Sequence, residues 1–593
     1  MDTVTLTIDG QTLTVEKGRT VLQAALDAGI DVPYYCYHPA LGIEGSCRVC
    51  IVRIEKMPKL QTACSTICTD GMVVDTRSPE VAQARASVFE FLLLNHPLDC
   101  PVCDKGGECP LQDFSYDFGP AASRMDFPRR VFDGEGVKGD VDFGPTLLLN
   151  RNRCILCTRC VRFMKHVDGD AQISIQDRGN GSQIVTFQEE GVHSLISGNL
   201  MDVCPVGAIT TRDYRFKSRP WDNPVVADTM CTLCSKGCST SVWLRAKPEW
   251  AKGPRIVRVT PRFNPDVNEY WMCDIGRFGY HFVEADDRLR TPMLRDPGGV
   301  LQPAGWHDLL VKLREAVGAL GGAAGAGLRL LTSAHASLEE LAVIRRIARG
   351  LHGEEGERQV AVGWRTSDKQ QPSGTKFVVP IVDAPNLAGA TDLGFAAPAG
   401  ADGAADLSGL RQAVESGAVR AVYVFDPGPG GSLGDVSWLA EARRDMKITV
   451  LAVQGILMTD LARAADFVLP GAAYLEKDAC YTNDKGIVQA ASQVVAPPGD
   501  AMADWQILVN VAVTLGVAVT YENAAQVRAD VAAATGGTAG YADLAGVTFR
   551  RPLAVRSPLK ASNPSERLKW DSLFKSRPGS KPPRGPDPAS THE

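Results

Sequence analysis

Four groups of side chains in this sequence have the type and spacing to hold metal. They are Cys36, Cys47, Cys50 and Cys64; His96, Cys100, Cys103 and Cys109; Cys154, Cys157, Cys160 and Cys204; and Cys231, Cys234, Cys238 and Cys273. Thiolate and neutral imidazole are the donors that bind iron and zinc, and four of them complete an iron-sulfur cluster. Of the 17 cysteines, 16 fall between Cys36 and Cys273, and only Cys480 lies beyond. In a reducing compartment such a concentration of thiols holds metal rather than disulfides.

In the first group, ten residues separate Cys36 from Cys47, two separate Cys47 from Cys50 and 13 separate Cys50 from Cys64. Four thiolates satisfy a [2Fe-2S] cluster, and Gly42 and Gly45 let the backbone wrap closely around the sulfurs. The first gap is longer than in the plant-type pattern, and a structural zinc is the alternative. Cys68, four residues after Cys64, is a rival ligand that we read as a free thiol. In the second group three thiolates leave a [4Fe-4S] cluster one ligand short; His96, just upstream, supplies it, and a neutral ligand raises the potential. The third group joins a Cys-x-x-Cys-x-x-Cys triplet of bacterial ferredoxin type to Cys204-Pro205, with 43 residues between Cys160 and Cys204, and reads as one [4Fe-4S] cluster. The fourth reads likewise as [4Fe-4S], with zinc as the alternative. The expectation is one [2Fe-2S] and three [4Fe-4S] clusters, with Cys68 and Cys480 left over and no catalytic acid-base group.

These ligands need elements to hold them. Val4, Leu6 and Ile8 alternate with polar residues, Asp9-Gly10 makes a turn, and Leu13 and Val15 resume the pattern, which predicts a hairpin. Helical spacing follows over Thr20 to Ala28, closed by Gly29. Hairpin, helix and cysteine loop together predict a small ferredoxin-like domain. From Cys100 to Cys273 the chain is rich in Gly, Pro, Asp and Arg with few periodic stretches, so the metal centres are expected to stand in for a core there. Beyond Pro292 the pattern becomes α/β. Leu328–Thr332, Ala421–Phe425 and Ile448–Val453 read as strands of a parallel sheet, and Ser337-Leu338-Glu339-Glu340 as a capping box opening a helix. The Gly-rich run from Asp426 to Gly431 lacks the order of a dinucleotide-binding turn, so no nucleotide site is assigned. From Arg556 the composition predicts an extended tail in which Trp570, Leu573 and Phe574 are candidate anchors.

At 593 residues the chain exceeds one core. A net charge of −6 gives no reason to expect nucleic-acid binding. No apolar run reaches the roughly 18 residues of a membrane-spanning helix. The opening residues resemble neither a signal peptide nor a transit sequence, so neither export nor organelle import is expected.

The motifs, in this order, resemble those of the large iron-sulfur subunit of respiratory complex I, a family whose N-terminal pattern is shared with NAD-dependent formate dehydrogenases and some iron-only hydrogenases. The resemblance covers residues 1 to 280; the fourth group and the C-terminal half resemble the molybdopterin oxidoreductase fold. It implies a multi-domain α+β and α/β protein: a [2Fe-2S] ferredoxin-like (β-grasp) domain at 1–78, a [4Fe-4S] domain with one histidine and three cysteine ligands at 79–118, a ferredoxin-type [4Fe-4S] domain at 119–222, a [4Fe-4S] molybdopterin-oxidoreductase-type domain at 223–285, an α/β domain of that type at 286–555 and a tail at 556–593. Thr459–Pro470, Glu476 and Thr482–Gly486 match a strand and loop of that fold, but Cys480 and Lys485 depart from its pattern, and the loop reads as structural. No molybdopterin is expected. A formate dehydrogenase needs a metal-ligating cysteine downstream and a hydrogenase needs several, whereas none lies between Cys273 and Cys480.

The role implied is conduction. Electrons from NADH-reduced flavin on a partner subunit would pass by the His96 and Cys154 clusters towards a ferredoxin-like 2[4Fe-4S] subunit and quinone, with the Cys231 cluster remote. The assembly would be a proton-translocating NADH:quinone oxidoreductase on the cytoplasmic side of a bacterial plasma membrane. An electron-transfer subunit of an NAD-linked hydrogenase or formate dehydrogenase complex is the alternative, and a zinc scaffold a third.

Overall fold

A computed structural model describes residues 2–126, 128–131, 140–245, 254–321, 325–538, 540–551 and 553–554; the tail over 556–593, with Trp570, Leu573 and Phe574, lies outside the described residues. The chain divides into two units, one of Met1–Pro224 with Gln371–Val378 and one of Val225–Gln370 with Val379–Leu553.

In the first unit the alternating residues form the hairpin β1 (Thr3–Ile8) and β2 (Gln11–Glu16), with Val4 opposite Val15 and Leu6 opposite Leu13. With β3 (Ile51–Ile54), β4 (Gln61–Thr62) and β5 (Val73–Asp75) they make a sheet of order β2-β1-β5-β3-β4, in which β1 and β5 run parallel. Helix α1 (Val21–Asp27) starts at a Thr20–Gln23 capping box, which satisfies amides that the first turn leaves open, and buries Val21, Leu22, Ala24 and Ala25. These pack with Leu6, Ile8, Val52 and Val74 in one apolar core, the β-grasp arrangement expected.

Helix α2 (Pro79–Leu94) then leads to the loop of the second cysteine group. It is anchored by buried Arg85, which donates to the Ile51 and Thr76 carbonyls. The remainder of this unit is assembled from short pieces: α3 (Pro110–Phe118), an antiparallel sheet of β6 (Asp140–Asp142), β7 (Leu147–Asn150) and β10 (Ile209–Thr211), α4 (Arg159–Phe163), the β8–β9 hairpin (Ile173–Gln176, Gln183–Thr186) and α5 (Asn199–Val203).

The second unit opens with three antiparallel strands, β11 (Val225–Met230), β12 (Ser239–Leu244) and β13 (Ile256–Pro261). Ala227, Val242, Leu244, Ile256, Val259, Met272 and Tyr280 form an apolar core there. The expectation that metal centres replace a core from Cys100 to Cys273 is therefore corrected for this stretch. Strands buried on both faces read as unbroken rather than alternating sequence, so periodicity does not reveal them.

The main sheet adds β14 (Met293–Arg295), β15 (Leu301–Pro303), β16 (Leu328–Ser333), β17 (Ala361–Gly363), β18 (Ala421–Asp426), β19 (Val450–Gly455) and β20 (Phe467–Pro470), in the order β15-β14-β20-β19-β18-β16-β17. Strands β17 to β20 and β16 run parallel, as expected, with β14 and β15 antiparallel at one edge. Side chains alternate strictly. Leu330, Tyr423, Ala452 and Phe467 face one apolar layer, and Leu331, Val422, Leu451 and Val468 face the other, giving a doubly wound three-layer structure. The Ser337–Glu340 capping box opens the helix Leu338–His352 as the sequence predicts.

Inside this unit Lys477 lies between Glu340 and Asp504, bonded to both, with the three residues 4%, 1% and 0% exposed. Burial, the largest influence, lifts the Glu340 carboxyl to about 7 against the pull of Lys477. The folded carboxyl thus holds its proton more tightly than an unfolded one near pH 4.3, so this group's contribution to stability falls as pH rises from about 4.3 through 7. Glu340→Gln is expected to flatten that decline, read as the melting temperature by calorimetry from pH 5.5 to 8. Lys477→Met, which strands two buried carboxylates, should destabilise this unit by about 3–5 kcal/mol in the same measurement.

Candidate functional site

The first cysteine group lies where the β-grasp sheet meets its long loop. The Cys36 thiol lies within hydrogen-bonding reach of those of Cys47 and Cys64, and Cys64 within reach of Cys50. Gly42 and Gly45 take left-handed φ values of 74° and 73°, and so does Arg48, at 60°, between Cys47 and Cys50. Left-handed residues turn successive amides towards one side, which is how a backbone cradles anionic sulfur. Cys68 is buried in the apolar core of this domain, where burial raises its thiol pKa.

The second group surrounds a cavity of about 200 Å³ lined by His96, Cys100, Cys103 and Cys109, together with Arg153 and Gly207. Cys109 is the N-cap residue of α3, beside amides that a helix start leaves open, and burial pushes its thiol up to about 12. Burial raises the Cys103 thiol pKa, against the pull of Arg153. Burial, then Arg153, holds the His96 imidazole near 4, so at neutral pH it is the uncharged, ligating form. Its Nδ1 is buried without a hydrogen-bond partner. Gly207 is required by space: a Cβ there would lie 2.0 Å from the Cys103 sulfur.

The third group gathers at the start of α4. Leu156 and Thr158, between its cysteines, have φ of 52° and 61°, and the Leu156 amide donates to Cys154 at 3.4 Å. Cys160 lies within electrostatic reach of Cys154, Cys157 and Cys204, and burial pushes Cys154 up to about 12 and Cys157 up to about 11. Thiols so placed keep their protons unless a cation compensates, which an iron core does.

The fourth group lies in the second unit, at the β11–β12 turn and the start of α6 (Asp274–Phe278), whose N-cap is Cys273. All four thiols are buried, those of Cys234 and Cys273 lie within hydrogen-bonding reach of each other, and the Gly276 amide donates to Cys273 at 3.4 Å. The Thr482–Gly486 loop braces this site: the Asp484 amide donates to the Ser235 carbonyl and the Asn483 side chain to that of Lys236. Cys480 is buried in the sheet layer above, its amide on Glu339. Among the described residues, no three His, Cys, Asp or Glu side chains converge tightly enough for a single metal ion.

Within the first unit three groups abut. Arg162 donates to the carbonyls of Cys36, Leu41 and Gly42, and Arg159 to that of Tyr37, so the residues flanking Cys160 hold the first cysteine loop. The segment after Cys204 meets the second group through Gly207, and through Pro205, whose carbonyl accepts from the Cys109 thiol at 3.9 Å. Sequence reading missed Arg159, Arg162 and Gly207. An arginine inside a cysteine triplet, another two residues after it, and a glycine three residues after the distal cysteine were the available signals.

Family models match the segments of the first three groups and, for the fourth, the stretch around Cys273 but not Cys231, Cys234 or Cys238. They are the 2Fe-2S iron-sulfur cluster binding domain over residues 1–79, the NADH-ubiquinone oxidoreductase-G iron-sulfur binding region over 85–124, the NADH-quinone oxidoreductase subunit 3 ferredoxin-like domain over 144–210 and the NADH-ubiquinone oxidoreductase NDSU1/NuoG-like 4Fe-4S domain over 250–281. Molybdopterin oxidoreductase matches over 367–513. The mitochondrial NADH-ubiquinone oxidoreductase 78 kDa subunit of Neurospora crassa is 31% identical over 88% of this chain and 82% of its own length.

The chain belongs to the family of the large iron-sulfur subunit of complex I.

The NADH-quinone oxidoreductase G chain of Streptomyces coelicolor is 41% identical over 59% of this chain, and a second such relative, from Rhizobium meliloti, is 42% identical over 55%; the matches span only 40% and 37% of those relatives. A chain of the solved NAD+-reducing [NiFe]-hydrogenase is 32% identical, covering 36% of this chain and 90% of that one, at a TM-score of 0.31. The family models thus place 2Fe-2S and 4Fe-4S binding domains along the first half of this chain. Gly207→Ala should displace the Cys103 thiol and remove about four iron atoms per chain while far-ultraviolet circular dichroism stays unchanged; iron analysis of anaerobically purified protein checks this.

Proposed function

We propose that this chain is an electron-transfer subunit of an NADH:quinone oxidoreductase, relaying electrons from NADH-reduced flavin on a partner subunit towards quinone. The observation that carries the reading is the contiguity of three ligand groups in the first unit, linked through Arg159, Arg162 and the Cys204–Gly207 segment. Cys36, Cys47, Cys50 and Cys64 hold a [2Fe-2S] cluster; His96, Cys100, Cys103 and Cys109 hold a [4Fe-4S] cluster, as do Cys154, Cys157, Cys160 and Cys204, and Cys231, Cys234, Cys238 and Cys273. When bound, such clusters supply reversible one-electron transfer.

The chain's own residues hold and tune these centres. Amides at helix starts and left-handed turns donate to sulfur and favour the reduced, more negative state, and the guanidinium groups of Arg153, Arg159 and Arg162 act in the same direction. Neutral His96 leaves its centre less negative than four thiolates would. The domains divide at 78, 118, 222, 285 and 555. Flavin and ferredoxin-like 2[4Fe-4S] subunits are the partners, and no helix among the described residues is long and apolar enough to cross a membrane, in keeping with a peripheral subunit on the cytoplasmic face of a bacterial membrane complex.

Anaerobic iron and sulfide analysis should give about 14 iron atoms per chain, and low-temperature EPR of the reduced protein one binuclear and three tetranuclear signals. Zinc in place of iron, with no EPR signal, would reject the reading. His96→Cys should retain the iron but move one tetranuclear signal to lower potential in a redox titration, because a thiolate adds negative charge; an unmoved potential would remove His96 from the ligand set.

A further inference from the structure

Away from the four cysteine groups, the second unit carries a cleft of about 720 Å³. It lies wholly within that unit, where the helix Leu338–His352 meets the helix Ala524–Ala534 and the segment 516–518. Such a volume suits a small organic ligand. Three guanidinium groups line it, those of Arg345, Arg346 and Arg349. They stand on one helix at positions i, i+1 and i+4, so Arg345 and Arg349 lie one above the other with Arg346 beside them. Most of the remaining lining is small or apolar, with Leu393, Val517 and Ala518 among it. Gly350 lets the helix approach this wall, since a Cβ there would come 2.5 Å from the Val517 side chain.

Three like charges this close need compensation, and two carboxylates supply it only in part. Asp530 accepts from Arg346 at 2.8 and 2.5 Å, and also from the Tyr521 hydroxyl. Glu357 accepts from Arg349 at 2.8 and 2.6 Å. Arg345 is left over. Glu357, already held by Arg349, lies 3.6 Å from it, and the Arg345 Nε is buried without a hydrogen-bond partner. Burial, then the charge of Arg349, accordingly holds this guanidinium below the ordinary arginine value. A cleft that concentrates three arginines, and leaves one of them short of a counter-charge, is built to receive an anion.

We propose that this cleft binds the phosphate group of an organic phosphate, whose organic part lies on the wall of Leu393, Val517 and Ala518. A tetrahedral phosphate has acceptor oxygens enough to take an N–H from each of the three guanidinium groups, which the two oxygens of a carboxylate do not. Its charge compensates Arg345. Asp530 and Glu357 meanwhile hold Arg346 and Arg349 in fixed, forked geometry, so little side-chain freedom is lost on binding. The apolar wall explains why the cleft is larger than a phosphate alone requires. The site is independent of the cluster reading.

The test is isothermal titration calorimetry on the full-length, anaerobically purified chain, with adenosine monophosphate, adenosine and inorganic phosphate as probes. Flotation with phosphatidylcholine vesicles containing phosphatidic acid is the second arm. The nucleotide is expected to bind at one site per chain, about tenfold more tightly than inorganic phosphate, and adenosine not to bind. Ala518→Glu puts a carboxylate into the cleft at an exposed position without removing a bond, so it should keep the melting temperature and weaken binding about tenfold or more. Arg345→Met should weaken it equally. Arg444→Gln, in another arginine-lined cleft that also carries Glu441 and Asp460, should leave it unchanged. Vesicle capture that Ala518→Glu abolishes, without nucleotide binding, would assign the same phosphate site to a lipid headgroup. Undiminished binding in either cleft variant, an equal loss in Arg444→Gln, equal binding of adenosine, or no binding of any phosphate probe would overturn the site. Inorganic phosphate bound as tightly as the nucleotide would overturn the role of the apolar wall.

Discussion

Burying sulfur is the constraint on which this structure depends. A thiolate in an apolar interior is unfavourable unless something positive lies beside it, and burial, the largest influence, pushes Cys109, Cys154 and Cys231 up to about 12. The chain answers with oriented amides and cations. Left-handed residues at Gly42, Arg48, Leu156, Thr158 and Gly237 bend the first, third and fourth cysteine loops, and helix starts at Cys109 and Cys273 add amides that lack helical partners. The same need accounts for the short, irregular elements between residues 100 and 224, where the backbone is committed to enclosing sulfur rather than to building long helices or strands.

Arg159 and Arg162 couple this constraint to the tertiary fold. Each lies one or two residues from Cys160, and each turns away to take carbonyls of the first cysteine loop. One pair of side chains thereby supplies positive charge near two ligand groups and fixes their separation. Gly207 does the equivalent for the second and third groups by closeness of backbone to sulfur. Electron transfer between bound centres depends steeply on such separations, so these positions bear on function although none is a ligand.

The second unit solves a different problem with different means. Its doubly wound sheet has two apolar layers, and it buries charge as well: Lys477 with Glu340 and Asp504, Arg288 with Glu476, Arg528 with Glu339. Such networks contribute little net stability over an apolar core but specify one arrangement, since a shifted strand would strand a charge. The Thr482–Gly486 loop is occupied in bracing the Ser235–Lys236 turn, and its Lys485 side chain donates to the Asp266 carbonyl.

By itself the sequence determined the local matters. The hairpin and its Asp9-Gly10 turn, the Ser337 capping box and the parallel strands around Leu330, Val424 and Leu451 are all written in short-range patterns of turn chemistry and periodicity, because those depend on a few neighbouring residues. Cysteine spacing likewise suggested the four ligand groups, through close pairs and triplets on short loops, with Cys204 and Cys273 joining theirs from 43 and 34 residues away. Tertiary structure alone decided the rest. That the Cys36, His96 and Cys154 groups abut follows from contacts spanning up to 126 residues, such as Arg162 to the Cys36 carbonyl, which no local pattern encodes. The apolar core at Ala227 and Val242 was hidden because fully buried strands carry no alternation, and the exposure of Cys100 beside Trp221 depends on a segment more than a hundred residues away folding back over the Gly106-Gly107 turn.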